Sequence, residues 1–177
     1  ECGRASTCAE VVVSWRSLTE NGLPRRIVHN DCKWNNSLVD AAGHAVCVID
    51  LDTVMPGLAP YDFGDMVRTM TCPAAEDEPE LAKVNLQFPL FEAVARGYLS
   101  AAGVFLTQAG REHLVLAGKL STFEQGIRCL ADYLNGDTYY RVHHTGQNLA
   151  RCRTQFKLVE SMEEKEVEME RLLGSIG

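Results

Sequence analysis

Apolar and polar positions along this chain fall into two regimes. From about residue 83 onward the apolar residues recur at helical spacing, and helices are expected near 83–102, 107–116, 116–135 and 147–173. Gly103 and Asn135-Gly136 mark breaks between them. In the last of these helices Leu158, Met162, Met169 and Leu172 fall on one side. Glu160, Glu163, Glu164, Glu166, Glu168 and Glu170 occupy its other faces, the pattern of a solvated amphipathic helix packed on a domain. The first third reads differently. Val11, Val12, Trp15 and Leu18 make an apolar stripe over residues 8–20, a helix stopped by Asn21-Gly22 and Pro24. Arg26-Ile27-Val28 reads as a short strand or the start of a loop. Ser37-Leu38-Val39 and Val46-Cys47-Val48-Ile49 flank a turn at Asp40 to Gly43, which predicts a β-hairpin over 37–50. Met55-Pro56-Gly57 and Ala59-Pro60 read as loop, Tyr61 to Thr71 as a helix with Met66 and Val67 inward, and the acidic stretch Pro73 to Pro79 as loop. The fold class this implies is mainly α, α+β overall, with one small hairpin in the first third.

Composition narrows the function classes. The 177 residues, 46% of them apolar, suffice for one domain with a real core. A net charge of -7 with no long basic block argues against a nucleic acid or an anionic membrane as partner. A small phosphorylated ligand stays possible, since it needs only a local cation or a metal. No apolar run approaches the roughly 18 residues of a membrane span. The seven cysteines (Cys2, Cys8, Cys32, Cys47, Cys72, Cys129 and Cys152) are odd in number and scattered, and no C-x-x-C pair occurs. Reduced thiols in a cytoplasmic protein fit this better than a zinc site or a disulfide framework. Glu1 is not a natural start, and ECGRAST resembles neither a signal peptide nor a tag, so the chain is expected to begin inside a longer protein.

The chemistry concentrates in His29-Asn30-Asp31-Cys32-Lys33-Trp34-Asn35-Asn36, which reads H-x-D-x-K-x-x-N. A second cluster, Ile49-Asp50-Leu51-Asp52, stands at the end of the second hairpin strand. A hairpin brings its ends together, so Asp31, Asn36 and Asp50 are expected to converge. That set suits metal-assisted phosphoryl transfer. Magnesium takes hard oxygen ligands from one or two carboxylates or amides plus substrate phosphates, which Asn36 and Asp50 can supply. Asp31 can orient an acceptor hydroxyl and receive its proton, and Lys33 can set positive charge near the transferred group. His29 reads as a structural histidine bracing the loop. Asp52 leaves three roles open: second metal ligand, substrate contact or loop cap. In Tyr61-Asp62-Phe63-Gly64-Asp65, Asp62 is expected to cap a helix and tether the loop, because Ile49-Asp50 already holds the strand-end position of a metal-binding aspartate. His143-His144 reads as an exposed loop pair and Cys32 as an inert thiol. A metal-dependent hydrolase would need two metals or histidine ligands, which His29 alone does not supply.

These residues resemble the aminoglycoside phosphotransferase and choline kinase superfamily, relatives of the protein kinases. VHNDCKWNN, VCVIDLDTVMPGLAPYDFGDMVR and DYLNGDTYYRVHHTGQNLARCRTQFKLVE resemble in particular the N-acetylhexosamine 1-kinases and their near relatives, from about Val28 to about Glu160. The resemblance implies ATP- and magnesium-dependent transfer to the anomeric hydroxyl of N-acetylglucosamine or N-acetylgalactosamine. It implies Asp31 as base, Lys33 as a catalytic-loop lysine, and Asn36 and Asp50 as magnesium ligands. It places sugar contacts in the stretch Ile127 to Arg141, with Arg128 and Tyr139 foremost and Asn148 and Arg151 behind them, Asp52 being a further substrate-side candidate. It further implies a kinase-like C-terminal lobe, residues 1–177 as a single domain without the nucleotide-binding N-terminal lobe, because no glycine-rich loop or V-A-I-K-like strand occurs. Such a lobe is expected to be inactive alone. The partners implied are ATP and a small sugar, with the oligomeric state left open. Another small acceptor, or a non-catalytic kinase-like binding domain, is the alternative.

Overall fold

A computed structural model describes residues 23–176. The helix expected over 8–20, with Cys2 and Cys8, lies outside the described residues. Four short strands come first: β1 (Arg25–Val28), β2 (Ser37–Val39), β3 (Ala45–Val48) and β4 (Met55–Leu58). Six helices follow: α1 (Ala59–Met70), α2 (Phe88–Ala102), α3 (Gln108–Glu112), α4 (Leu114–Leu134), α5 (Gln147–Glu164) and α6 (Glu166–Ser175). The chain is therefore mostly helical with two small antiparallel strand pairs.

The expected hairpin is β2 with β3, Ser37 opposite Val48 and Leu38 opposite Cys47. Its turn is built by Asp40, whose Oδ1 accepts the N–H groups of Ala42 (2.9 Å) and His44 (2.8 Å), and by Gly43 at φ 85°. The second pair corrects the sequence reading. Met55-Pro56-Gly57, expected as loop, is strand β4 and pairs with β1, Ile27 lying opposite Pro56. A strand so short, carrying Pro and Gly, has no alternation to read. A two-stranded ribbon tolerates Pro because one side of each strand is an edge.

Pro60 in its first turn starts α1, where a missing N–H costs nothing. Phe63 and Val67, one turn apart, are fully buried. They join Phe91, Ala95, Leu99, Leu114, Leu158 and Met162 in a core shared by α1, α2, α4 and α5. Phe63 meets Phe91 edge to face, with centroids 6.2 Å apart. Burying each such side chain contributes about 1.5–3 kcal/mol. Gly64 lets α1 cross close over α4, since a Cβ there would strike the Ala117 carbonyl.

Two helix boundaries differ from the periodicity. The helix expected from 83 begins at Phe88, because Pro89 can sit only in a first turn. The preceding segment is a single 3-10 turn, Leu81–Lys83, and then extended chain that buries Val84 and Leu86. The Leu86 N–H donates to Ser161 Oγ at 3.0 Å and that of Gln87 to the Thr71 carbonyl at 2.8 Å, which satisfies the buried backbone. The helix expected over 147–173 breaks at Lys165 into α5 and α6. Met162 before the break and Met169 after it both join the core, and Glu166 pairs with Lys119 of α4 at 2.5 Å. Among the described residues no helix is long and apolar enough to cross a membrane. Cys32, Cys47, Cys72, Cys129 and Cys152 form no disulfide.

Candidate active site

The loop between β1 and β2 carries His29 to Asn36, and its shape is imposed from outside. Asp62, in the first turn of α1, accepts the backbone N–H of His29 (3.0 Å) and of Asn30 (2.9 Å). This is a tether and not a cap: the N-cap of α1 is Leu58, with no side-chain cap bond, which corrects that part of the expectation for Asp62. Asn30 adopts φ 61°, a left-handed conformation that Asn tolerates better than most residues. Its Nδ2 donates to the Thr53 carbonyl at 3.0 Å. His29 lies 3.1 Å through Nε2 from the Ile49 carbonyl. The loop is thus strapped to α1 and to the segment that follows β3.

Asp31, Lys33, Asn36 and Asp50 meet where the hairpin closes. Lys33 Nζ lies 2.6 Å from Asp31 Oδ2 and 3.8 Å from Asp50 Oδ2. Asn36, buried, donates Nδ2 to Asp31 Oδ2 at 2.8 Å and to the Asp31 carbonyl at 2.9 Å. The Asn36 carbonyl accepts the Ile49 N–H at 2.9 Å, fixing the distance between the two ends. Asp50 is at φ 62°, which swings the chain out of β3. Partial burial raises the Asp31 carboxyl, but the bonds from Lys33 and Asn36 and the charges of Lys33 and Arg68 outweigh it. The net result lies below the ordinary carboxylate range, so Asp31 is an ionised acceptor at neutral pH.

A cleft of about 90 Å³ opens beside Asp31, lined also by Asn30, Tyr61, Glu124, Gln125 and Arg128. The Tyr61 hydroxyl donates to the Glu124 carboxylate. Burial and that carboxylate push the Tyr61 phenol well up, so it stays a neutral donor. Arg128 is the residue the sequence reading placed on the acceptor side; Tyr61, Glu124 and Gln125 were not foreseen. A signal existed for the helix residues: Ser121, Glu124, Gln125 and Arg128 stand at i, i+3, i+4 and i+7, a polar stripe on an otherwise largely buried helix. Arg68, ion-paired to Asp65 at 2.7 Å, lines this cleft and a second cavity of about 280 Å³ bounded also by Lys33, Trp34 and Glu76.

The other expected substrate residues lie outside the cleft wall. Tyr139 is 74% exposed, with Arg128 Cζ 6.0 Å from its ring centroid, so it reaches the cleft only through Arg128. Arg151 donates to Asn148 Oδ1 (2.9 Å) and the Arg141 carbonyl (3.3 Å) and faces Glu76 at 3.3 Å. Both hydrogen bonds come from one guanidinium nitrogen, and Arg151 is not among the residues lining the cleft at Asp31. Asp52 is exposed in the 3-10 turn Leu51–Thr53, which begins directly after Asp50. His144 lies in an exposed loop, 3.5 Å from Asp77, and among the described residues it joins no cluster of three or more His, Cys, Asp or Glu side chains.

A base candidate, a lysine and an amide–carboxylate pair around one hairpin are the parts a phosphoryl-transfer site uses. The model of one protein family, described as the phosphotransferase enzyme family, matches residues 4–104. That is more than half of the chain, and it includes Asp31, Lys33, Asn36 and Asp50 but stops short of Arg128. The chain belongs to the phosphotransferase enzyme family.

Proposed function

We propose that this chain carries the base, the metal ligands and the acceptor cleft of an ATP- and magnesium-dependent kinase that phosphorylates the anomeric hydroxyl of an N-acetylhexosamine. One observation carries the reading: Asp31 stands in the cleft wall with both side-chain contacts on Oδ2, which directs Oδ1 to an incoming hydroxyl. The acceptor O–H donates to Asp31. As the acceptor oxygen bonds to the γ-phosphorus, its proton passes to Asp31, the bond to the β,γ-bridging oxygen breaks, and ADP leaves. Lys33 holds Asp31 in place and sets a positive charge beside the transferred group.

Magnesium fits the donors present. Asn36 spends its N–H groups on Asp31 and keeps its amide oxygen, and Asp50 adds an exposed carboxylate at the same hairpin end. One amide and one carboxylate suit an ion that takes its remaining oxygens from water and phosphates. When bound, it supplies neutralisation of phosphate charge.

The acetamido sugar is favoured by the polar stripe. Arg128 and Gln125 offer donors to ring hydroxyls and an acetamido carbonyl, and Glu124 offers an acceptor. The resemblance of the 132–160 stretch to N-acetylhexosamine 1-kinases supports the same acceptor. The described residues serve as the acceptor-binding lobe of a bilobal enzyme. Exposed apolar side chains on the strands and their flanks, Ile27, Val46, Val48, Leu51 and Met55, suit a face that a nucleotide and a second lobe cover. On this reading the chain alone is inactive.

The test is ADP release by the full-length protein with ATP, magnesium and four acceptors: N-acetylglucosamine, N-acetylgalactosamine, an aminoglycoside and choline. Turnover on the acetamido sugars is expected, falling about 10²–10⁴-fold in Asp31→Asn. Turnover confined to another acceptor discards the sugar assignment and keeps the chemistry. Silence on all four leaves a non-catalytic binding domain.

A further inference from the structure

We infer that Asp132 is a positioning residue for acceptor recognition: it locks the turn at 138–140 so that Tyr139 and Tyr140 brace the Arg128 guanidinium at the cleft wall. The inference rests on the acceptor reading of that cleft.

Asp132 lies one turn after Arg128 on α4 and is 6% exposed. Its Oδ1 accepts the N–H groups of Thr138 (2.9 Å) and Tyr139 (2.8 Å). Its Oδ2 accepts the N–H of Tyr140 (2.9 Å) and Asn148 Nδ2 (2.8 Å). Asn148, fully buried at the start of α5, also donates to Asp137 Oδ1 at 2.9 Å. One carboxylate therefore ties together the end of α4, the turn and α5. Burial disfavours its charge, but the backbone N–H groups of Tyr140, Tyr139 and Thr138 outweigh that and hold the carboxyl below its ordinary range.

What this knot presents is a pair of rings. Tyr139 and Tyr140 pack edge to face with centroids 4.8 Å apart. Arg128 Cζ lies 6.0 Å from the Tyr139 centroid and 5.8 Å from that of Tyr140, within cation–π range. The Tyr140 hydroxyl also accepts from Gln125 Nε2 at 3.4 Å. Both cleft residues, Arg128 and Gln125, thus lean on the same turn. An exposed arginine loses much rotamer freedom when it grips a ligand; two rings already in place remove most of that loss beforehand. Without Asp132 the rings drift, and the loss falls on acceptor binding alone.

The experiment is a double-mutant cycle in the full-length protein, Asp132→Asn with Arg128→Gln, read as KM for N-acetylhexosamine, KM for ATP and kcat. Backbone amide exchange at 138–140 is followed in parallel. Asp132→Asn is expected to speed that exchange, raise the acceptor KM about tenfold and leave the ATP KM within about twofold. On the Arg128→Gln background it is expected to add less than about twofold. If Asp132→Asn does not fold, Asp137→Gly serves; it removes only the Asn148 link and keeps a residue suited to φ 58°, with the same direction of effect. An acceptor KM raised by Arg128→Gln but not by the knot variants, or raised equally on both backgrounds, overturns the positioning role while the cleft reading stands. An acceptor KM untouched by Arg128→Gln overturns the cleft reading, and the inference with it.

Discussion

Asn36 turns its amide nitrogen wholly toward Asp31, 2.8 Å from Oδ2 and 2.9 Å from the main-chain carbonyl. The pairing fixes which way the Asn36 amide faces: hydrogens to the base, oxygen away from it. On the proposed function, one residue thereby steadies the proton acceptor and presents a hard oxygen donor. Asn36→Asp removes both donors and sets a second carboxylate against the first. The expected outcome is an acid limb of the kcat/KM profile displaced upward by about one pH unit or more, because like charges this close cannot both ionise freely. A pH–rate profile of the variant checks it, and an unmoved acid limb would contradict the pairing.

Lys33 contributes to the same carboxylate oxygen. Its bond and its charge both lower the Asp31 value, against the burial that raises it. In Lys33→Met burial meets less opposition and pushes Asp31 up, so the base protonates at higher pH and activity is lost sooner as pH falls. The alkaline limb should stay where it is, since Asp31 is already ionised there. Magnesium dependence separates this effect from a lost metal ligand: the variant should saturate at a similar magnesium concentration, whereas Asp50→Asn should need about tenfold more or fail to saturate.

Asp62 never touches the cleft, yet it holds the backbone that presents Asp31. Asp62→Ala leaves the N–H groups of His29 and Asn30 without their acceptor. A stability loss of about 1–3 kcal/mol is expected from those groups. A fall in kcat larger than the unfolded fraction explains should accompany it, because a displaced base costs rate even in folded molecules. Urea denaturation and single-turnover kinetics on the same preparation separate the two contributions.

Gly64 tests the crossing of α1 on α4 that carries both Asp62 and the polar stripe. Its Cβ position is taken by the Ala117 backbone, which has no rotamer to yield. Gly64→Ala is expected to destabilise by about 1–3 kcal/mol, and by more if the helices cannot part. Gly97→Ala, on the open side of α2, should instead be neutral or slightly stabilising. Urea midpoints of the pair check the contrast; equal midpoints would mean that α1 and α4 part freely to admit the methyl group.

Much of this was legible in the order of residues. The hairpin over 37–50 follows from two short apolar runs around an Asp-to-Gly turn, and Asp31, Asn36 and Asp50 are linked by it over a short loop, so local geometry alone brings them together. Helical spacing marked α1 and α4 because each buries one face. The β1–β4 ribbon was not legible, since its two strands are four residues each and pair across a gap that no periodicity spans. Neither was the break at Lys165, where the apolar repeat runs on and no Gly or Pro marks an end.

The acceptor side divides along the same line. Residue types and spacing determined that Asp31, Lys33, Asn36 and Asp50 stand on one loop and one strand end, because those groups are neighbours along the chain. Only the tertiary structure decided that Arg128 faces Asp31, that Tyr61 and Glu124 share the cleft with it, and that Arg151 is drawn into bonds with Asn148 and Glu76 instead. These side chains lie tens of residues from the loop. Their placement depends on how α4 crosses α1 and how Asp132 folds the following turn back on its helix; local pattern marks the polar stripe on α4 but not what that stripe faces.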